Sequence, residues 1–357
     1  MSARPRIAVV LMNLGGPDSP DAVRPFLFNL FNDPAILELP QPLRWALAQF
    51  ISRRRAKFAR ENYAKIGGAS PLLANTQAQA KALQDALRGL HELGDVKTFI
   101  AMRYWRPFTE DAARAVKAFD PQEIVLLPLY PQFSGTTSGS SLRHWRDAVK
   151  RAGIAASVRA VCCYPDEAGF AAASAGLIDA ALRRAKQFGA PRLLLSAHGL
   201  PQKTVDRGDP YQSQVERSAA AILAALKTSD AMWSTLEHEV CYQSRVGPLE
   251  WLKPYTEDAI HRAAQDKRAI VLFPIAFVSE HSETLVELDV DYRRVAETAG
   301  ATAYLRVPTV STDPAFIGGL AGLVRTALAR PPCVASQSGA RICPAALTRC
   351  AMQERAA

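Results

Sequence analysis

Four short apolar runs constrain the fold of this chain more than any other feature: IAVVLMNL at residues 7–14, EIVLLPL at 123–129, RLLLS at 192–196 and IVLFP at 270–274. A strand with one face in water alternates apolar and polar residues, and these runs do not. Each is therefore expected to be buried on both faces, as in a parallel sheet covered by helices. TFIAMRY at 98–104 reads as a further short strand, and a polar, alanine-rich helix is expected at about 75–90. Strands alternating with helices predict a doubly wound α/β architecture. No run approaches the roughly 20 apolar residues of a membrane span.

The second half of the chain echoes the first. The run at 192–196 leads into AHGLP where the run at 7–14 ends in NLGGP, and IVLFP at 270–274 repeats IVLLP at 124–128 with one change. Two echoes in the same order suggest two similar α/β halves related by duplication. A cleft between them, bounded by the loops at the carboxyl ends of the strands, is the expected ligand site. The turn after the first strand reads GGPDSP, with Asp18 or Ser19 placed to cap a helix through VRPFLFNLF. It lacks the GxGxxG fingerprint, so no nucleotide is expected there.

Composition narrows the partners. The 357 residues suffice for two domains, and 48% hydrophobic with 22% charged residues describes a globular chain. Six cysteines are too few for a disulfide scaffold, and the first apolar run is short, without a small-residue cleavage site. A reducing, cytoplasmic setting is expected. A formal charge of +9 suits an anionic partner. No nucleic-acid-binding motif is recognised, which leaves an acidic small molecule or an acidic membrane surface as the partner.

Several stretches carry chemistry. In PIAFVSEHSETLVELDVDYRRV, residues 274–295, an α-helix starting near Ser279 would put Glu283, Glu287 and Asp291 on one stripe beside His281. Like charges at that spacing cost about 0.2–0.5 kcal/mol per pair, and the basic residues Arg293 and Arg294 come only later. Hard oxygen ligands in a row suit a divalent cation, the alternative being a solvated acidic face. His198 follows a predicted strand, and so does the hydroxyl-rich loop from Tyr130, which suits carboxylates or phosphates. Trp251, in a Gly- and Pro-rich frame, offers a flat surface for a planar ligand or a plug at a domain interface. In residues 40–65 an apolar stripe of Leu43, Trp45, Ala46, Leu47, Phe50 and Ile51 runs into SRRRAKFAR. That make-up fits an interfacial helix or pocket lip, or an ordinary amphipathic helix packed on the core.

Taken together these motifs resemble ferrochelatases of bacterial type. The resemblance is carried by NLGGPDS at 13, IGGASP at 66, RYWRPFTED at 103, YPQFSGTTSGSS at 130, SAHGLP at 196, RGDPY at 207, CYQSRVGPLEWLKPYT at 241 and PIAFVSEHSETLVELD at 274, in order over residues 6–328. It implies a lyase-class metal chelatase of haem biosynthesis that inserts Fe²⁺, as substrate, into protoporphyrin IX with release of two protons. It also implies two Rossmann-like domains with parallel sheets flanked by helices and the active-site cleft between them. The expected boundaries are a first domain at 1–165 with a pocket lip near 40–60, a second at 166–310, a helix at 311–330 packing back on the domains, and a tail at 331–357.

By the same resemblance His198 is the base or a metal ligand, facing Glu283. Glu287 and Asp291 continue a metal or proton path, and His281 supports the site. Met12, Tyr130, Trp251 and Phe277, with Arg103, Ser70 and Lys65, are expected walls and propionate contacts for the porphyrin. The lip becomes a membrane-facing entrance for a greasy substrate, making the protein peripheral on the inner membrane. A coproporphyrin or cobalt chelatase of the same fold would keep the base and acids, whereas a non-catalytic porphyrin carrier would not need the acidic stripe. The oligomeric state is not legible.

The resemblance ends at the tail, where Cys333, Cys343 and Cys350 follow a C-x9-C-x6-C spacing. Clustered thiols in a reducing compartment favour metal over disulfide. Some ferrochelatases bind a [2Fe-2S] cluster through C-terminal cysteines, and this tail is similar in placement but not in spacing. A further ligand of the animal pattern falls at Gly135, so Cys162, Cys163 or Cys241 would have to replace it. A cluster and a redox-inert tail both stay open.

Overall fold

All four apolar runs form strands with their interiors buried, and each sits inside a parallel sheet. The computed structural model describes residues 5–90 and 93–352; residues 1–4 of the expected first domain and 353–357 of the expected tail lie outside the described residues. The described chain divides into two compact units: one runs up to Cys163 and resumes at Leu320–Ile342, the other comprises Tyr164–Gly319 and the chain from Cys343 on.

In the first unit the strands are β1 (Arg6–Asn13), β2 (Asp95–Met102), β3 (Glu123–Pro128) and β4 (Ser157–Val161), joined by helices α1 (Val23–Phe31), α2 (Gln41–Ala64), α3 (Leu72–Arg88), α4 (Thr109–Phe119) and α5 (Ser138–Ala152). The second unit carries α6 (Ala168–Ala185), β5 (Pro191–His198), α7 (Gln202–Asp206), α8 (Tyr211–Ser229), β6 (Glu237–Gln243), α9 (Thr256–Gln265), β7 (Ala269–Pro274), α10 (Tyr292–Thr298) and β8 (Ala303–Arg306). The helix α11 (Pro314–Leu328) and a two-residue strand β9 (Val334–Ala335) follow.

The two sheets share one strand order, β2-β1-β3-β4-β9 in the first and β6-β5-β7-β8 in the second, and all their pairings are parallel. The sequence echoes map onto this order, because 7–14 and 192–196 lie in the equivalent strands β1 and β5, and IVLLP and IVLFP in β3 and β7. In each sheet the order reverses between the first and third strands of the unit, which is where an open α/β sheet leaves a crevice at the strand ends. The register brings Asn13 level with Met102 and Met12 level with Pro128, so that β1, β2 and β3 finish together. Ser196 and Pro274 are likewise level at the ends of β5 and β7.

Three expectations need correction. First, α2 is not an amphipathic helix packed on the core by its large residues. Its buried positions are Ala48, Ser52, Ala56 and Tyr63, while Leu43, Trp45, Phe50 and Phe58 are turned outward, Trp45 at 49% and Phe50 at 58% exposure. Small residues repeating every four positions let α2 lie close against α1, so the bulky side chains are left on the other faces. Second, Glu283–Asp291 is a π-helix and not an α-helix, with the Tyr292 N–H donating to the Glu287 carbonyl five residues back. The Tyr304 hydroxyl takes the Leu288 carbonyl at 2.7 Å, an external partner of the kind a widened helix needs. Third, the tail is not one separate segment. The Cys333 carbonyl accepts the Ala160 N–H and β9 extends the first sheet beside β4, whereas the chain from Cys343 belongs to the second unit.

The orientation of α2 predicts an inverted mutational pattern. Ser52→Leu, at a position with 0% exposure, should overpack the contact and cost about 1–3 kcal/mol in chemical denaturation. Phe50→Ser should stay within roughly 0.5 kcal/mol. The reverse ranking would contradict the placement.

Candidate active site

The second unit gathers its chemistry at the ends of three adjacent strands. β5 ends at His198, and Gly199 follows because nothing larger fits: a Cβ there would lie 2.8 Å from the Gln243 carbonyl oxygen and 3.3 Å from the Trp251 ring. The Leu252 N–H donates to the Leu200 carbonyl at 2.9 Å, which ties the Trp251 loop to the turn after His198. β7 stops at Pro274, and the chain turns through Phe277 into the π-helix. Phe277 meets His281 edge-to-face at 4.3 Å between ring centroids and His198 at 6.4 Å. β6 ends at Gln243, and Ser244 beyond it adopts a left-handed φ of 64°.

A continuous hydrogen-bonded chain results. His198 Nδ1 lies 2.9 Å from Glu283 Oε2. The Ser244 hydroxyl is 3.4 Å from that same oxygen and donates to Glu287 Oε2 at 2.5 Å. Glu287 Oε1 accepts the Ser244 N–H at 2.9 Å and the Tyr292 hydroxyl at 3.1 Å. His198 and Glu283 keep 36% and 32% of their side-chain surface exposed, so the near end of the chain is open to a ligand. Asp291 closes the π-helix. Ser244 carries no signal of its own in the sequence. Its position just past a strand end was the available signal, but β6 mixes charged and apolar residues and does not announce itself as a strand.

The electrostatics separate these groups. Burial would raise the Glu283 carboxyl, but the charge and hydrogen bond of His198 outweigh it and hold the group well below the usual carboxylate range. Glu287 is raised, by burial first and then by the neighbouring negative charge of Glu283. A proton is therefore held more readily on Glu287 than on Glu283. The two imidazoles also diverge. Burial would lower His198, yet the carboxylates of Glu283 and Glu287 raise it; at His281 burial prevails and lowers it. His281 Nδ1 accepts the N–H groups of Glu283 and Thr284, at 3.1 and 3.4 Å, which commits its lone pair.

Among the first-unit candidates, Met12, Arg103 and Tyr130 lie at or just past the ends of β1, β2 and β3. The Arg103 N–H bonds the Asn13 carbonyl, and the Leu129 N–H bonds that of Met12. Arg103 is held by Asp33 at 2.7 Å and Ser140 at 2.9 Å. Asp33 also accepts the Tyr104 and Ser140 hydroxyls, each at 2.8 Å. Met12 is buried in the apolar cluster that includes Trp145, and burial pushes the Tyr130 hydroxyl well above its ordinary range. Ser70 braces the glycine turn, its N–H donating to the Pro17 carbonyl at 2.7 Å, and Lys65 is exposed at the end of α2.

The tail cysteines do not make a ligand set. Cys333 belongs to the first unit, Cys343 and Cys350 to the second, and Cys343 accepts a hydrogen bond from Gln214 at 3.2 Å. Among the described residues no three His, Cys, Asp or Glu side chains form a metal-binding group.

The family model for ferrochelatase matches residues 6–328. This chain belongs to the ferrochelatase family. A ferrochelatase of Caulobacter vibrioides is 50% identical over 351 residues, covering 98% of this chain and 99% of that one. That of Phenylobacterium zucineum is 52% identical over 346 residues, covering 97% and 98%. Among solved structures, SirB from Bacillus subtilis with Fe³⁺ aligns over 90% of this chain and 95% of its own with a TM-score of 0.50 at 11% identity, a likeness of fold. The two parallel sheets flanked by helices fit that fold. The chain is thus a metal chelatase of the lyase class with a ferrochelatase function in haem biosynthesis, and the family acts on porphyrin and ferrous iron.

If the neutral form of His198 is the working one, kcat/KM should rise with pH along a limb above the roughly 6.5 of a free imidazole. Glu287→Gln removes one carboxylate that raises His198, so a pH–rate series should show that limb moved to lower pH. An unmoved limb, or one moved upward, would contradict the assignment.

Proposed function

We propose that the porphyrin is protoporphyrin IX and that His198 takes its pyrrole protons as iron enters. The observation that carries this is the tautomer set by Glu283. An ionised carboxylate 2.9 Å from Nδ1 requires the hydrogen there, and this leaves the Nε2 lone pair bare. His281 lacks that freedom, because its Nδ1 lone pair is already engaged by backbone N–H groups. His281 is therefore a supporting group.

Insertion of Fe²⁺ into the neutral porphyrin expels two protons, so the charge on the metal is balanced by the porphyrin dianion. Nε2 takes a proton from a pyrrole nitrogen, and Nδ1 gives one to Glu283. The Ser244 hydroxyl then accepts a proton from Glu283 while passing its own to Glu287, whose raised affinity favours the outward direction. His198 is then left with its hydrogen on Nε2; exchange through solvent at the open ring edge returns it to Nδ1, and once Glu287 has passed its proton on the second pyrrole proton follows the same route. In this reading His198 and Glu283 meet the metal, and Glu287 with Asp291 continues the path behind them. On the second unit Trp251 and Phe277 supply flat surfaces for the ring. Walls that bend the ring would expose its nitrogen lone pairs to the metal.

The outward Leu43, Trp45, Phe50 and Phe58 beside Arg53, Arg54 and Arg55 support contact with an anionic membrane surface, a source of a greasy substrate. Among the described residues no helix is long and apolar enough to cross a membrane. A [2Fe-2S] cluster does not enter this reading, since Cys333, Cys343 and Cys350 are not gathered as ligands, and no step is routed through one.

His198→Ala should lower metallation of protoporphyrin about 10²–10⁴-fold while fluorescence titration still shows porphyrin bound. Undiminished metallation would refute the role of His198, and a preference of the wild-type chain for coproporphyrin would refute the choice of substrate. Trp45→Ala with Phe50→Ala should abolish co-sedimentation with phosphatidylglycerol vesicles; unchanged sedimentation would contradict the membrane contact.

A further inference from the structure

We propose that Arg306 and Tyr304, on β8, are positioning residues that hold the π-helix in the register where Ser244 reaches both Glu283 and Glu287. The segment ETLVELDVD contains no glycine or proline, so nothing in its own sequence asks for the wide form; the restraint comes from outside. Arg306 grips it across its length. One guanidinium nitrogen lies 2.6 Å from Glu280, just ahead of the helix, and another 2.6 Å from Asp289, near its far end. Glu280 is fixed in turn by the Thr309 N–H at 2.9 Å. The Tyr304 hydroxyl donates to the Leu288 carbonyl at 2.7 Å, and Arg293 bridges the Asp289 and Tyr304 carbonyls at 3.1 and 3.0 Å. Tyr304 and Arg306 are two apart on a strand, so both face the helix.

The Arg306 side chain is only 9% exposed. Burying an ion pair seldom stabilises a fold more than apolar packing would, and its best-attested use is to specify one arrangement. Here the arrangement specified is that of the relay. Arg306 and Tyr304 hold Glu280, Asp289 and the Leu288 carbonyl, and neither is among the hydrogen-bond partners of His198 or Glu283, so their effect is through geometry, and misplacement by about 1 Å is enough to slow a reaction strongly.

The inference rests on the proposed roles of His198, Glu283 and Glu287, and the test separates the two. Metallation of protoporphyrin by the full chain is measured for Tyr304→Phe, which deletes one hydroxyl and keeps the core filled, and for Arg306→Gln, Asp289→Asn and their double variant, with Glu283→Gln alongside. Tyr304→Phe should lower kcat about tenfold with porphyrin KM within about twofold of wild type. Arg306→Gln and Asp289→Asn should lower kcat by similar factors, and the double variant no further. Normal kcat in Tyr304→Phe and Arg306→Gln beside an inactive Glu283→Gln would overturn the positioning role alone. Full activity in Glu283→Gln would overturn the relay reading and this inference with it. A fall in kcat accompanied by an equal loss of porphyrin affinity would also overturn it. Should Arg306→Gln fail to fold, Tyr304→Phe decides.

Discussion

The hydrogen bond between His198 and Glu283 is the contact on which the account of this chain depends. It joins the end of one strand to a helix that follows another, and it exists because β5 and β7 are neighbours whose ends coincide. It also sets the protonation pattern of the site. The same carboxylate raises His198 and is itself depressed in return, while Glu287, one hydroxyl further on, is pushed the other way. A proton that reaches Glu283 is therefore drawn on to Glu287, while Glu283 at rest stays the ionised partner of His198.

The sheets supply the positions. Both units use one strand order, with the reversal between equivalent strands, so each presents loops from its two central strands at the same end. In the second unit those loops carry His198 and the π-helix. In the first, β1 ends at Asn13 and the Tyr130 loop follows β3. The two units thus share a strand order and differ in their side chains, acidic and imidazole groups in one, hydroxyls and an arginine anchored by a buried aspartate in the other. The function is located in those side chains and not in the fold, which is shared more widely.

Much of the frame was legible in the sequence. Unbroken apolar runs can be satisfied only by double-sided burial, and the IVLLP and IVLFP echo fell on equivalent strands. The motifs carried the family as well. The rest depended on contacts that a linear reading does not contain. β4, β6, β8 and β9 are short or mixed in polarity, and β9 exists because β4 has a free edge beside it. The apolar residues of α2 match a core-facing stripe in composition, yet small residues at Ala48, Ser52 and Ala56 decide which face is inward. Within the site, His198, Glu283 and Glu287 come together. Ser244, which links the two carboxylates, was invisible because its importance lies in a backbone turn after an unrecognised strand. In sequence the π-helix has the spacing of an α-helix, because the contacts it makes with Tyr304 and Arg306 come from a strand well beyond it in the chain.

The central claim is that Glu283 holds His198 as the tautomer with hydrogen on Nδ1 and a bare lone pair on Nε2. Nitrogen NMR of the chain labelled in its histidines, assigned through His198→Ala and followed with pH, tests this directly. Above its titration His198 should show a protonated Nδ1 and an unprotonated Nε2, with Nε2 taking up the proton as pH falls and the midpoint dropping in Glu283→Gln. A neutral His198 carrying its hydrogen on Nε2 would contradict the account, for such a ring has no lone pair to offer the porphyrin.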